Sequence, residues 1–197
     1  MKRIGCIIAA LTLLLMLPAC RAGGESSPTL RIGVALYQQE DTFIDTVARE
    51  LQRVALEEEQ ARNVKINLYI TDGKESQTTQ NEQVDRFLER GYDVICVNIV
   101  DRTAAAVIID KAQAAGVPVI FFNREPVEED LRRWKYAYYV GLPAGDAGIL
   151  QGELVLDAWR SHEEALDRNG DGVLQYVMLE GEPGHQDALL RTEYCIS

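Results

Sequence analysis

The stretch DVICVNIVDRTAAAVIIDKAQAAGVPVIFFN (93–123) decides the fold. It opens with an almost wholly apolar run, DVICVNIV (93–100), and ends with another, VPVIFFN (117–123). Between them, TAAAVIIDKAQAAG (103–116) repeats its apolar residues at three- and four-residue steps and closes on Gly116. Strands buried on both faces read as continuous apolar runs, and a helix between two of them makes them parallel neighbours. The stretch is therefore a strand–helix–strand unit of a parallel sheet.

The same alternation extends in both directions. Upstream, TLRIGVALY (29–37) and VKINLYI (64–70) read as strands. The segment 43–60 reads as an amphipathic helix, and 75–91 as a polar helix closing on Gly91. Downstream, YAYYVGL (136–142) reads as a strand, 145–166 as a long helix, LQYVMLEG (174–181) as a strand, and 185–191 as the opening of another helix. This order implies a doubly wound α/β fold, a parallel sheet flanked by helices. Residues 29–141 form a first α/β lobe, and residues 142–197 the start of a second. Gly33 stands alone after the first strand, where a dinucleotide fingerprint needs three spaced glycines.

Residues 1–19 have the form of a secretion signal: Lys2 and Arg3, an apolar stretch from Ile4 to Leu17, then Pro18 and Ala19. Leu17-Pro18-Ala19-Cys20 resembles a bacterial lipobox, which makes Cys20 the lipidated mature N-terminus and places the protein outside the cytoplasmic membrane, held by its lipid. RAGGESSP (21–28) then suits a flexible tether, so the tether spans 20–28. Loss of Lys2 and Arg3 takes the net charge from −11 to −13. So acidic a body lacks the basic footprint that nucleic acid demands. Cys96 reads as a small buried apolar residue, and the cysteines show neither a disulfide framework nor a metal-binding spacing.

Asp167-Arg168-Asn169-Gly170-Asp171-Gly172-Val173-Leu174-Gln175 fits the first half of a calcium loop. Asp167, Asn169, Asp171, the Val173 carbonyl and Gln175 supply the hard oxygens that Ca²⁺ prefers. The twelfth position, where a bidentate Glu is expected, holds Met178. On residues alone, a bare Asp/Asn/Gly turn stands beside the calcium reading.

A second set lies just after predicted strands, where ligands of open α/β sheets bind. Asp41 and Phe43 follow the first strand, Asn123 ends the fourth, and His185, Asp187 and Arg191 follow 174–181. Carboxylate, amide, guanidinium and aromatic ring together match the hydroxyls and flat apolar face of a sugar. Singly, each has a plainer reading. Asp41 caps a helix, Phe43 belongs to the core, Asn123 occupies a turn, His185 lies on the surface, and Asp187 with Arg191 makes an i,i+4 pair.

RIGVALYQQEDTF (31–43), VPVIFFNREP (117–126), YAYYVG (136–141), DRNGDGVLQYVMLEGEPGH (167–185) and QDALLR (186–191) resemble successive segments of the galactose/glucose-binding proteins. These are type I periplasmic binding proteins that serve ABC sugar importers and sugar chemotaxis. The resemblance implies a two-lobe receptor for D-galactose or D-glucose that works as a monomer with an ABC permease or a chemoreceptor. It implies that Asp41 accepts from sugar hydroxyls, Phe43 stacks on the ring and Asn123 binds hydroxyls. His185, Asp187 and Arg191 come from the second lobe, the last two near the anomeric carbon and ring oxygen. The resemblance also implies a structural calcium whose last ligand is a glutamate from a distant part of the same lobe, so the chain reads as truncated. Arg124 departs from a common lysine, and Leu142 to Gly145 from a more polar crossing between lobes.

Two alternatives stay beside the transport reading: a sugar-sensing lipoprotein without a transporter, and an effector domain akin to those of sugar-responsive repressors. An enzyme is not expected, because no nucleophile with a positioned base is visible.

Overall fold

The computed structural model describes residues 28–181 and 185–197. The signal segment, Cys20 and most of the tether lie outside the described residues.

Five strands, β1 (Thr29–Leu36), β2 (Lys65–Asp72), β3 (Val94–Val97), β4 (Val119–Phe122) and β5 (Ala137–Val140), make one sheet in the order β2-β1-β3-β4-β5. Every pairing is parallel. The order reverses between β1 and β3, which is where such sheets open a crevice at their carboxyl ends. The crossovers are α1 (Thr42–Arg62), α2 (Gln77–Glu89), a short 3₁₀ turn (Arg102–Ala104) leading into α3 (Ala105–Ala115), and the single turn α4 (Glu128–Leu131). Asp41 and Ser76 cap α1 and α2 through their side-chain oxygens. Gly116 ends α3 at φ 70°, a left-handed position that glycine takes without strain.

The alternation along β1 sorts its side chains onto two cores. Ala35 joins Val84, Phe87, Ile95, Val97, Ile109 and Phe121 on one face, while Val34 and Leu36 join Tyr37, Ile44 and Ala48 on the other. Gly33 has its explanation here. A Cβ on it would sit 2.6 Å from the Phe87 ring, so the position is kept bare for packing.

After β5 the chain enters α5 (Ala144–Leu166), which is kinked at His162, and later α6 (Gln186–Ile196). The two helices pack backbone to backbone. A Cβ on Gly148 would lie 2.7 Å from the Arg191 carbonyl oxygen, and one on Gly152 lies 2.6 Å from that of Cys195.

Two expectations need correction. The third strand was expected to run to Val100 but ends at Val97, because the chain beyond is claimed by side chains: Gln80 takes the Val100 N–H and the Asn98 carbonyl. Residues 174–181 form no strand. Their apolar pattern is real, yet Val177 and Leu179 are 89% and 92% exposed and no described strand pairs with them. A strand exists only through a neighbour's ladder. Cys96 is only partly buried, against the second core, and burial pushes its thiol up to about 11.

Candidate functional site

The carboxyl ends of β1 and β4 and the first turn of α6 enclose a cleft of about 820 Å³. Asp41, Phe43, Asn123, His185, Asp187 and Arg191 all line it, although they are up to 150 positions apart in sequence. The volume falls within the range usual for small-ligand sites, roughly 300–1,000 Å³.

Asp41 does two things at once. Its Oδ1 accepts the Ile44 N–H at 2.8 Å as the cap of α1, and its Oδ2 accepts the Tyr37 hydroxyl at 2.7 Å. The Tyr37 hydroxyl, then the Ile44 N–H, hold the Asp41 carboxyl below its usual range, so it is an acceptor-only group near neutrality. Phe43 is 61% exposed, so its ring is a free surface and not part of the core.

Asn123 takes φ 64° directly after β4. The left-handed region is uncommon for residues other than glycine, and asparagine is among those that enter it most easily. The turn is held from both sides: the Asn123 N–H donates to Val140 O at 3.2 Å, and the Tyr139 hydroxyl donates to the Asn123 carbonyl at 3.0 Å. Burial, followed by the Glu125 and Asp187 carboxylates, pushes Tyr139 up to about 12.

His185 caps α6, its Nδ1 accepting the Asp187 N–H at 3.2 Å. The i,i+4 relation of Asp187 and Arg191 is used differently from a side-chain ion pair. Arg191 Nε donates to the Asp187 backbone carbonyl at 3.1 Å, and no ion pair joins their side chains among the described residues. The Asp187 carboxylate therefore stays available to the cleft.

Besides the expected six, the cleft is lined by two residues with polar side chains, Tyr37 and Arg124. Tyr37, read only as the end of an apolar strand, sends its hydroxyl to Asp41. Arg124 lies with its guanidinium carbon 4.0 Å from the centre of the Tyr37 ring and donates to Val100 O at 3.1 Å. The sequence signal for both was proximity: Tyr37 is four positions before Asp41, and Arg124 directly follows Asn123.

The loop after α5 forms a knot of short-range bonds. Asp167 accepts from the N–H groups of Gly170, Asp171 and Gly172, and Asp171 accepts from the Val173 N–H. Gly170 and Gly172 sit at φ 72° and 69°, which gives the tight bend. The amide nitrogens of Asn169 and Gln175 both face Asp171 Oδ2, at 2.8 and 3.3 Å. The donor set is all oxygen once those amides are turned, so its chemistry fits a hard cation such as Ca²⁺. Asp167, Asn169, Asp171, the Val173 carbonyl and Gln175 are five donor residues, so the loop alone falls short of the six to eight oxygens that Ca²⁺ takes.

Comparison with known proteins gives a consistent picture. The periplasmic binding protein domain matches residues 32–197. The D-galactose/methyl-galactoside binding periplasmic protein MglB of Haemophilus influenzae is 40% identical over 167 residues, which are 84% of this chain and 48% of that protein. A putative rhizopine-binding protein of Rhizobium meliloti is 32% identical over 128 residues, 65% of this chain and 38% of the relative. Among solved structures, a Bacillus halodurans ABC transporter solute-binding protein with bound myo-inositol has a TM-score of 0.62 at 26% identity, covering 86% of this chain and 52% of that one. A Mycobacterium smegmatis protein in complex with β-D-fucofuranose has a TM-score of 0.65 at 26% identity, covering 84% and 49%. The chain spans about half the length of the MglB relative it matches.

Proposed function

We propose that this chain, which belongs to the periplasmic binding protein domain family, forms part of a receptor that captures D-galactose or D-glucose for an ABC importer. The observation that carries the reading is the convergence on one cleft of Asp41 and Phe43 from the start of α1 and Asn123 from the end of β4 with His185, Asp187 and Arg191 from the cap and first turns of α6. The similarity to the galactose-binding relative supports the choice of hexose.

The geometry gives each group a task. Phe43 offers an exposed ring for the apolar face of the sugar. The ionised Asp41 accepts from hydroxyls, Asn123 both donates and accepts, and Arg191 donates. A sugar lacking a matching hydroxyl leaves a buried polar group unpaired, which is the source of selectivity. No bond is made or broken. Residues 29–141 act as one lobe and 142–197 as the beginning of another, and closure of the two over the ligand hides it from water and presents the closed shape to a permease. Asp167, Asn169, Asp171, the Val173 carbonyl and Gln175 would hold a Ca²⁺ that fixes the loop of the second lobe. Cys20 would carry the lipid that keeps the receptor on the outer face of the membrane.

Calorimetric titration of the full-length protein with galactose, glucose, ribose and arabinose tests this. Hexose binding at micromolar or tighter affinity is expected. Tight binding of a pentose with no response to either hexose overturns the assignment.

A further inference from the structure

Asp41 is a carboxylate with both oxygens already engaged on one side. Ile44 N–H holds Oδ1 and the Tyr37 hydroxyl holds Oδ2, with the Phe43 N–H acting on the same carboxylate, and the four acceptor directions of a carboxylate still leave room for a ligand. Tyr37 is itself held. Its ring is buried among Val34, Leu36, Ile44 and Ala48, and the Arg124 guanidinium lies on it at 4.0 Å. Arg124 is anchored in turn to the Val100 carbonyl, past the end of β3. A chain of contacts thus runs from the β3 end through Arg124 and Tyr37 to Asp41, and all three side chains line the same cleft.

We propose that Tyr37 and Arg124 are positioning residues that fix the carboxylate of Asp41 in the orientation in which it receives a sugar hydroxyl. The proposal rests on the sugar-binding reading of the cleft. Its physical content is preorganisation: a side chain ordered before binding loses no rotamer freedom when the ligand arrives. The arginine suits the task because a planar guanidinium stacks on a ring and donates in its own plane at the same time, which an ammonium cannot do. Burial, then the hydrogen bond to Asp41, raise the Tyr37 phenol to about 12, so it stays a neutral donor to that carboxylate, with the Arg124 charge acting in the opposite direction.

The test uses the full-length protein as wild type, Tyr37→Phe and Arg124→Lys. Titration of the Asp41 carboxyl is followed by carboxyl-carbon NMR without ligand, and galactose and glucose affinities are measured from neutral pH downward. In Tyr37→Phe the carboxyl titrates at higher pH and hexose binds about tenfold more weakly, with the deficit widening as the pH falls, since a charge-assisted bond has been removed. Arg124→Lys moves both readouts the same way by less. An Asp41 titration unmoved in Tyr37→Phe overturns the proposal, as does a moved one with unchanged affinity in a protein whose wild type binds hexose. A wild type that binds neither hexose overturns the sugar reading instead, and the carboxyl titration then decides the positioning by itself.

Discussion

The buried amide of Gln80 holds the backbone of Val100: its Oε1 accepts the Val100 N–H at 3.0 Å. Its Nε2 donates to Asn98 O at 2.8 Å and reaches Ala35 O at 3.3 Å. On the same helix face Gln77 Oε1 accepts the Asp101 N–H, and Gln83 Nε2 donates to Asp72 O. Glutamines of α2 therefore take the place of a ladder where β1, β2 and β3 run out beneath the cleft.

Replacing Gln80 by leucine leaves the Val100 N–H and the Asn98 carbonyl without that partner, while the Ala35 carbonyl keeps the Asn98 N–H. The expected cost is about 3 kcal/mol of unfolding free energy, since each unsatisfied group costs roughly 1–3 kcal/mol. Urea denaturation of the full-length protein measures it, and a change under half of that amount speaks against the clamp.

Gly152→Ala forces a methyl group toward the Cys195 carbonyl, from 2.6 Å, with backbone on both sides and no side chain to swing away. Overpacking of this kind costs roughly 1–3 kcal/mol. A lowered thermal midpoint is expected, together with faster hydrogen exchange in α6.

Phe43→Ala separates binding from folding. The ring is 61% exposed, so stability is expected to move by no more than about 0.5 kcal/mol. Hexose affinity falls about tenfold, the order of a lost stacking contact. Calorimetry on the folded variant reads both.

For the loop at 167–175, adding a chelator to the full-length protein lowers its thermal midpoint, because a cation that binds only the folded state stabilises it by mass action. Asp167→Ala removes the first carboxylate, and the chelator then has no effect. An equal midpoint with and without chelator in the wild type counts against the calcium assignment.

Alkaline titration gives a separate check on the cleft. Burial, then the hydrogen bond to Asp41, push Tyr37 up to about 12, and Tyr139 is also raised to about 12. A raised folded value means that the neutral phenol is favoured in the fold. The associated stability is complete below the ordinary value of 10.0 and is lost as the pH rises toward 12. Phenolate absorbance is expected to show these two tyrosines ionising last, and Tyr37→Phe to remove one of them.

Much of this arrangement is legible in the sequence because it depends on period and position. Apolar runs such as 93–100 and 117–123 announce the buried parallel strands Val94–Val97 and Val119–Phe122, and the rule that ligands sit at strand ends singles out Asp41 and Asn123 from the sequence alone. Contacts across long separations are not legible. Nothing local tells that Gln80 will end β3 at Val97, that Arg124 will lie on the Tyr37 ring, or that Arg191 will choose the Asp187 carbonyl over its carboxylate. The run 174–181 misleads for a related reason: its pattern reports a need for burial, while strand formation depends on a neighbour that the pattern does not contain.

The left-handed turn at Asn123 bears on how this cleft can evolve. Its N–H and carbonyl are both tied, so a substitution cannot relax the backbone to suit itself. Glycine keeps the turn and deletes the amide, aspartate keeps the turn and trades a donor for a charge, and β-branched replacements strain the chain before they meet any ligand. New specificity at this corner has very few single-step routes open to it, whereas Phe43, in the first turn of α1, has an ordinary helical backbone that admits other side chains without strain.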